Sequence, residues 1–210
     1  MISIKVNEKD INIPIGWSEV STELYQKLKS VDEPTVVKLF AVICGMKDAE
    51  IADAKNEELE MMIYNLSSFV FSDEYFRYYK TPDYITIDGK DIQLPKNLES
   101  MTIEQNLIVR QRLSNCKFLE ELIAFCTAIY LQPKIDNSIF NQERAKEIES
   151  RLLQMPIDQV FPIGFFLLNR LKNSGKSGQM RWLLTRLLLM NLYKKWQNKQ
   201  KLKNWKGFLI

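Results

Sequence analysis

The stretch IKVNEKDINIP at residues 4–14 recurs as ITIDGKDIQLP at residues 85–95, which is 81 positions further along the chain. In each copy apolar residues alternate with polar ones on both sides of a polar turn, and this pattern is typical of a β-hairpin with one buried face. A proline ends both copies. The repeat therefore predicts two antiparallel hairpins, over residues 2–14 and 83–95, as the starts of two related modules.

The turns of the two predicted hairpins differ in quality. We expect a four-residue polar turn, at residues 7–10 in the first copy and at the equivalent residues of the second. Asp88 and Gly89 tolerate the positive φ angles that hairpin turns require, whereas Asn7 and Glu8 tolerate them less well.

The likeness between the copies continues after the hairpins. At the same offset of 81 positions, Trp17 aligns with Leu98 and Ser21 aligns with Thr102. We expect Trp17 and Leu98 to occupy equivalent buried places, and Ser21 and Thr102 to begin helices as N-cap residues.

The fold class that follows is α+β and predominantly helical, with two related hairpin-plus-helices modules and a long C-terminal helix. A chain of 210 residues that is 46% hydrophobic is large enough to bury a core. We place the first module at residues 1–80, the second at residues 81–171, and a linker with a basic C-terminal helix at residues 172–210.

Apolar residues at helical spacing predict the helices of each module. The inward residues of the two hairpins are expected to be Ile4, Ile11, Ile13, Ile85, Ile87 and Leu94. In the first module the expected helices start at Ser21, at Pro34 (an apolar run that ends at Gly45), within residues 47–55, and at Asn56. In the second module they cover residues 102–112, 115–130 (closed by Pro133), 141–153 and 160–171. The C-terminal helix is expected to begin at Met180.

The composition excludes several chemistries. The chain contains no histidine, so sites built on Ser-His, Cys-His or zinc-His pairs are excluded. Carboxylates alone could serve a metal-dependent nuclease, but the acidic groups near residues 57–60, 120–121 and 143–149 fall on exposed faces or first turns of predicted helices. The Gly175-Lys176-Ser177 sequence lacks the earlier glycine of a phosphate-binding loop, because position 170 is arginine. We therefore predict no catalytic, cofactor-binding or metal-binding residue, and a protein that is not an enzyme.

Three cysteines, Cys44, Cys116 and Cys126, lie in apolar or helical surroundings without a CxxC spacing. They predict buried thiols of a reducing compartment rather than a disulfide framework. The chain starts directly with a strand pattern, so no signal peptide is expected. A cytosolic location is the resulting expectation.

The C-terminal quarter is basic and apolar. Residues 159–210 contain eleven Lys or Arg and no Asp or Glu, a charge of +11, whereas residues 1–158 carry −8. Between Met180 and Leu192 the leucines cover more than one face of a helix, so some of them require a second surface. The predicted partner-binding residues are Leu183, Leu187, Leu188, Met190, Lys194, Lys195, Trp196 and Lys199.

Two kinds of partner fit this segment. The first is an acidic protein, including another copy of this chain. The lysines would attract it over a long range, and the leucines would provide the contact area. Lysines interleaved with tryptophans also suit nucleic acid. A membrane span is not expected, because Arg170 and Arg186 interrupt apolar stretches that fall short of about 20 residues.

The order of these features resembles a known family. A strand pair that ends in a proline is followed three positions later by Trp17-Ser18-Glu19-Val20 and a short helix, and then by an apolar helix that ends in glycine. The second copy, residues 85–98 followed by Met101-Thr102-Ile103-Glu104-Gln105, resembles the repeat of the same family. The family is that of the tail assembly chaperones of bacteriophages, and the resemblance covers roughly residues 1–170.

This resemblance implies a mostly helical, non-enzymatic phage protein that binds other virion or assembly proteins. It implies a location in the host cytoplasm during assembly. The basic C-terminal helix departs from the family pattern and leaves open a component that stays in the virion. Nucleic-acid binding through that helix, and a carboxylate-dependent phage nuclease, are the alternatives.

Overall fold

The structure, a computed structural model, describes residues 1–6, 8–32, 35–52, 57, 82–94 and 101–174. The described chain is mostly helical and contains two small antiparallel hairpins, so the predicted fold class is confirmed. The strands are β1 (Ile2–Val6), β2 (Lys9–Ile13), β3 (Tyr84–Ile87) and β4 (Lys90–Gln93). The α-helices are α1 (Thr22–Ser30), α2 (Val36–Cys44), α3 (Asp48–Ala52), α4 (Ile103–Asn115), α5 (Leu122–Asp136), α6 (Gln142–Gln154) and α7 (Ile157–Ser174), with short 3-10 turns at Trp17–Glu19 and Leu119–Glu121.

Both predicted hairpins are present, and each turns one apolar face to the core. β1 pairs with β2 and β3 pairs with β4, each antiparallel. The side chain of Ile4 lies outside the described part of the chain, as does Leu98, the expected counterpart of Trp17. The other residues predicted to point inwards are buried, namely Ile11, Ile13, Ile85, Ile87 and Leu94.

The turns are two residues long, which corrects the expected four. Val6 pairs with Lys9, and Ile87 pairs with Lys90, so the polar residues after each turn already belong to the second strand. The second turn residue has a left-handed backbone in both hairpins, with φ of 65° at Glu8 and 73° at Gly89. Glycine adopts this conformation without steric cost, whereas a residue with a Cβ does not.

We predict that Glu8→Gly raises the free energy of unfolding by about 0.5 kcal/mol, because relief of the left-handed strain exceeds the entropy that glycine loses on folding. The reciprocal variant, Gly89→Ala, should lower it by about 1 kcal/mol, since the added Cβ meets open space and only the backbone strain acts. Urea unfolding measures both. Loss of stability in Glu8→Gly would show that this turn is not strained.

The ends of the helices follow local capping chemistry. Ser21 and Thr102 are the N-caps of α1 and α4, as predicted, and each hydroxyl accepts a hydrogen bond from the third backbone N–H of its helix. α2 begins after Thr35, whose hydroxyl caps it, rather than at Pro34, and it ends at Gly45 with φ of 60°. Of the expected helix from Asn56 to Phe69, only Glu57 lies among the described residues.

Helix α5 lies at the centre of the core. All its residues from Leu122 to Gln132 are buried, and it packs against α4, α6 and α7. Helix α7 crosses it closely at Gly164, because a Cβ at that position would lie 2.6 Å from the carbonyl oxygen of Ile123. No larger residue fits at Gly164 without moving one of the two helices.

Helix α5 does not stop at Pro133, as the sequence predicts, but continues to Asp136. Proline has no backbone N–H, so the carbonyl of Ile129, four residues earlier, loses its helical partner. The side-chain amide of Gln105 donates to this carbonyl at 2.7 Å. The oxygen of the same side chain accepts from the Thr102 backbone N–H at 2.9 Å and completes the capping box of α4.

We predict that Gln105→Leu lowers the free energy of unfolding by about 2 to 4 kcal/mol, because it removes half of a capping box and leaves a buried carbonyl without its donor. The double variant Gln105→Leu/Pro133→Ala should recover part of this loss, since an alanine in place of the proline supplies the missing N–H. Gln159→Leu, a change of an exposed glutamine on α7, is the control and should be nearly neutral. Additive effects of the Gln105 and Pro133 changes would contradict this account.

The two modules meet where the chain enters α1. The backbone N–H of Thr22 donates to the carbonyl of Met155 at 2.8 Å, and that of Ile157 donates to the carbonyl of Val20 at 2.9 Å. The buried Thr22 hydroxyl donates to the same Met155 carbonyl at 3.0 Å. This two-stranded contact joins the start of α1 to the junction of α6 and α7.

An aromatic row crosses the same region. Trp17 is buried, as predicted, and its ring meets the ring of Tyr25 edge-on, with 5.6 Å between ring centres. Tyr25 in turn meets Phe161 of α7 edge-on at 6.0 Å, and Phe161 stacks on Phe165 at 5.3 Å. Because such pairs add to the burial energy, the first module is held to α7 by aromatic packing as well as by backbone hydrogen bonds.

Candidate functional site

The residues predicted to bind a partner lie outside the described part of the chain. They run from Leu183 to Lys199, beyond the last described residue, Ser174. Helix α7 itself extends to Ser174, into the segment predicted as linker. The predicted boundary after residue 80 also lies outside the described ranges. These placements remain predictions.

The cysteines are weak nucleophiles at neutral pH. Burial raises the pKa of Cys44 and of Cys116 to about 11. Burial raises the pKa of Cys126 further, because this thiol is fully enclosed in α5. A thiol with a raised pKa holds its proton and reacts slowly. Cys126 is buried as predicted, while Cys44 and Cys116 are only half-buried.

The acidic residues of the described ranges do not converge on a metal site, since no group of three or more Cys, Asp and Glu stands close enough together to hold an ion there. Glu143 and Glu147 are exposed on α6 and pair with Lys146 and Arg144 respectively. Arg144 also contacts Asp136 at the end of α5, at 3.2 Å. These ion pairs lie at the α5–α6 turn.

Glu149 differs from the other acidic residues of α6. The sequence predicts that Glu149 lies on an exposed face. Its side chain is half-buried in the structure, which corrects that prediction. Burial raises the pKa of its carboxyl, and the nearby Arg112 of α4 partly opposes the rise. Arg112 also lies over the ring of Phe125, with 5.3 Å to the ring centre. The group therefore sits among α4, α5 and α6 as a partly desolvated carboxyl.

We predict that Glu149→Gln increases stability at neutral pH and not in acid. The folded pKa of Glu149 exceeds its unfolded value, so the folded state binds the proton more tightly. Wild-type stability therefore falls as pH rises from the unfolded pKa, about 4.3, through the folded one. The amide cannot ionise, which removes this loss.

Urea unfolding of both proteins across this pH range gives the comparison. The gain from Glu149→Gln should be present at pH 7 and vanish below the unfolded pKa. Glu147→Gln is the matched control on the exposed face, where the carboxylate contacts Arg144, and it should show no gain. A stability difference between Glu149→Gln and wild type that does not change with pH would contradict the effect of burial.

The described surface carries an apolar face on α4. Ile103 is 82% exposed and Leu107 is 60% exposed, and they lie one turn apart on the same side of the helix. The opposite side of α4 is buried through Gln105, Val109 and Leu113. We call Ile103, Leu107 and the exposed residues beside them, Glu104, Arg110 and Gln111, the α4 face.

The α4 face is not evident from the periodicity of the sequence. The spacing of Ile103, Leu107 and Ile108 fits a helix whose apolar residues all point to the core. The signal was present in the repeat, because the offset of 81 residues aligns Ile103 with Thr22 and Leu107 with Gln26. Two polar residues in the first module thus correspond to two apolar residues in the second.

Comparisons with known proteins add no relative. No protein family model, no curated protein and no solved structure matches the chain. Among the helices of the described ranges, none is long and apolar enough to cross a membrane.

Proposed function

We propose that this chain is a non-enzymatic bacteriophage assembly protein that binds other virion proteins, in the manner of a tail assembly chaperone. The resemblance of residues 1–170 to that family supports the proposal. The observation that carries it is the uneven charge of the chain: residues 1–174, which contain the described core, carry −6, and residues 175–210 contain no acidic residue and carry +9.

The chemistry of the C-terminal segment suits protein binding. Its leucines, Leu183, Leu187 and Leu188 among them, exceed what one helix face can bury. Apolar side chains provide most of the affinity of a helix in a groove, while charges provide orientation and a faster encounter. The partner that fits is an acidic protein with an apolar groove.

Residues 1–174, which we call the body, contain a core that can fold before the C-terminal segment binds. The buried apolar residues of the described ranges form one contiguous core that runs from Val6 to Leu168 and includes both hairpins. This supports a division of labour in which residues 1–174 form the body and residues 179–210 make the contact. The protein would act in the host cytoplasm during assembly, or remain in the particle.

We predict that the C-terminal leucines and lysines affect binding differently. Leu183→Ser/Leu187→Ser/Leu188→Ser should weaken binding to the tail proteins encoded beside this chain, mainly through faster dissociation. Lys194→Gln/Lys195→Gln/Lys199→Gln should slow association, and added salt should reduce its difference from wild type. Surface plasmon resonance with each purified tail protein measures both rates.

Deletion of residues 179–210 provides the control for folding. The shortened chain should unfold cooperatively and bind none of the tail proteins. If it binds them as well as the full chain does, or if it cannot fold because the leucines complete the core, the proposal for this segment is wrong.

A nucleic-acid partner is the second candidate, favoured by Trp196 and Trp205 among the lysines. Titration of duplex DNA at several salt concentrations tests it. Binding to phosphates gives a steep loss of affinity with salt, with a slope of roughly −0.9 per phosphate contact. A steep slope with DNA and no binding to tail proteins would replace the assembly role by nucleic-acid binding.

A further inference from the structure

The internal repeat shows what one helix face does in the first module. Thr22 and Gln26, one turn apart on α1, both contact the second module. Thr22 is fully buried and bonds the Met155 carbonyl, and the side-chain amide of Gln26 donates to the Glu120 carbonyl at 3.1 Å. This face of α1 is a docking face, and its partner is the other module.

The equivalent face of the second module is exposed in the part of the chain that the structure describes. The N-caps Ser21 and Thr102 align at the offset of the repeat, so Thr22 and Ile103 are both first helical residues, and Gln26 and Leu107 are both fifth. Ile103 and Leu107 are exposed and apolar, whereas Thr22 is polar and buried and Gln26 is polar and half-buried. Two large apolar side chains in adjacent turns of an open helix face are typical of a contact surface.

Among the described residues, the backbone contact of the first module has no counterpart at the start of α4. The Val20 carbonyl accepts from the Ile157 backbone N–H, but the corresponding carbonyl of Met101 accepts from the side-chain amide of Asn106 at 2.9 Å. The strand-like pairing is thus closed in the second module. A partner of the α4 face would be held by side chains of the helix alone.

The charges of the α4 face complement one another about Leu107. If two copies of α4 pack antiparallel with their Leu107 residues at the crossing, Glu104 of one copy lies level with Arg110 of the other, because the two residues lie three positions from the centre in opposite directions. Ile103 then faces the aliphatic stem of Gln111. The surface is thus complementary to itself in charge and in apolar contact, as a two-fold interface requires.

We propose that the α4 face binds a second copy of this chain, with the two α4 helices antiparallel and centred on Leu107. This inference does not rest on the proposed function, since it concerns a different part of the chain from residues 179–210. Helix α4 has 13 residues and is about 20 Å long. One helix pair covers less than a standard interface of about 1,600 Å², so the dimer is weak and depends on concentration.

The test is the mass of the full-length chain, measured by sedimentation equilibrium over a series of concentrations. The wild type should pass from monomer to dimer as its concentration rises. Ile103→Ser/Leu107→Ser should weaken this association at least about tenfold. Both side chains are exposed, so the variant keeps its fold, and its cooperative unfolding confirms this. Tyr84→Ser, an exposed aromatic on β3, is the matched control and should dimerise like the wild type.

A charge exchange tests the register. Glu104→Arg and Arg110→Glu should each dimerise about threefold to tenfold more weakly than wild type, since each places like charges opposite one another. An equimolar mixture of the two should form heterodimers, and the double variant should recover wild-type association, because both restore the opposite charges. Failure of the mixture and the double variant to recover would overturn the antiparallel arrangement.

The proposal is also overturned if the wild type stays monomeric at every concentration, or if Ile103→Ser/Leu107→Ser leaves a dimer unchanged. Hydrogen exchange then identifies the occupant. Protection of residues 103–111 in a wild-type monomer would mean that this chain's own residues cover the face. Protection only after addition of a tail protein would mean that the face belongs to that partner.

Discussion

Burial of α5 on all sides is the constraint on which the rest of the described structure depends. No water reaches the backbone of a helix that is buried from Leu122 to Gln132. A backbone group there that loses its helical hydrogen bond must therefore bond to a neighbouring protein group. Pro133 removes one helical hydrogen bond, and the amide of Gln105 replaces it. Because the same amide completes the cap of α4, the start of α4 is fixed to the last turns of α5.

The enclosure of α5 also decides how α7 packs. Two helices can approach closely only where one lacks a side chain, and Gly164 supplies that place opposite the Ile123 carbonyl. Helix α7 then presents Phe161 to Tyr25, so that the aromatic row holds the first module. The position of the first module on the second therefore follows from the contact between α5 and α7, together with the backbone pairing at Thr22 and Ile157.

The repeat has diverged where the modules have different neighbours. The two hairpins remain alike, because local conformation determines their turns and core packing determines their inward residues. The helix faces after them do not: the face with Thr22 meets another module and is polar, and the face with Ile103 is open and apolar. Among the described residues, the α1 face has a contact at Thr22 and Gln26 that the equivalent α4 face lacks, so the two copies of the repeat are subject to different requirements.

What the sequence by itself determined is the part that neighbouring residues decide. Alternation of apolar residues established both hairpins and their buried faces, and side-chain caps established the starts of α1 and α4, because these depend on contacts within a few residues. Only the tertiary structure decided the two-residue turns with Glu8 left-handed, the passage of α5 beyond Pro133, the partial burial of Glu149 and the exposure of Ile103. The turn register is set within each hairpin by which residues pair across it. The other three features depend on atoms far along the chain: an amide donor 24 residues away, the packing of helices around Glu149, and the residues that lie against a helix face. Periodicity shows that a helix has an apolar side, but the partner on that side is set by packing.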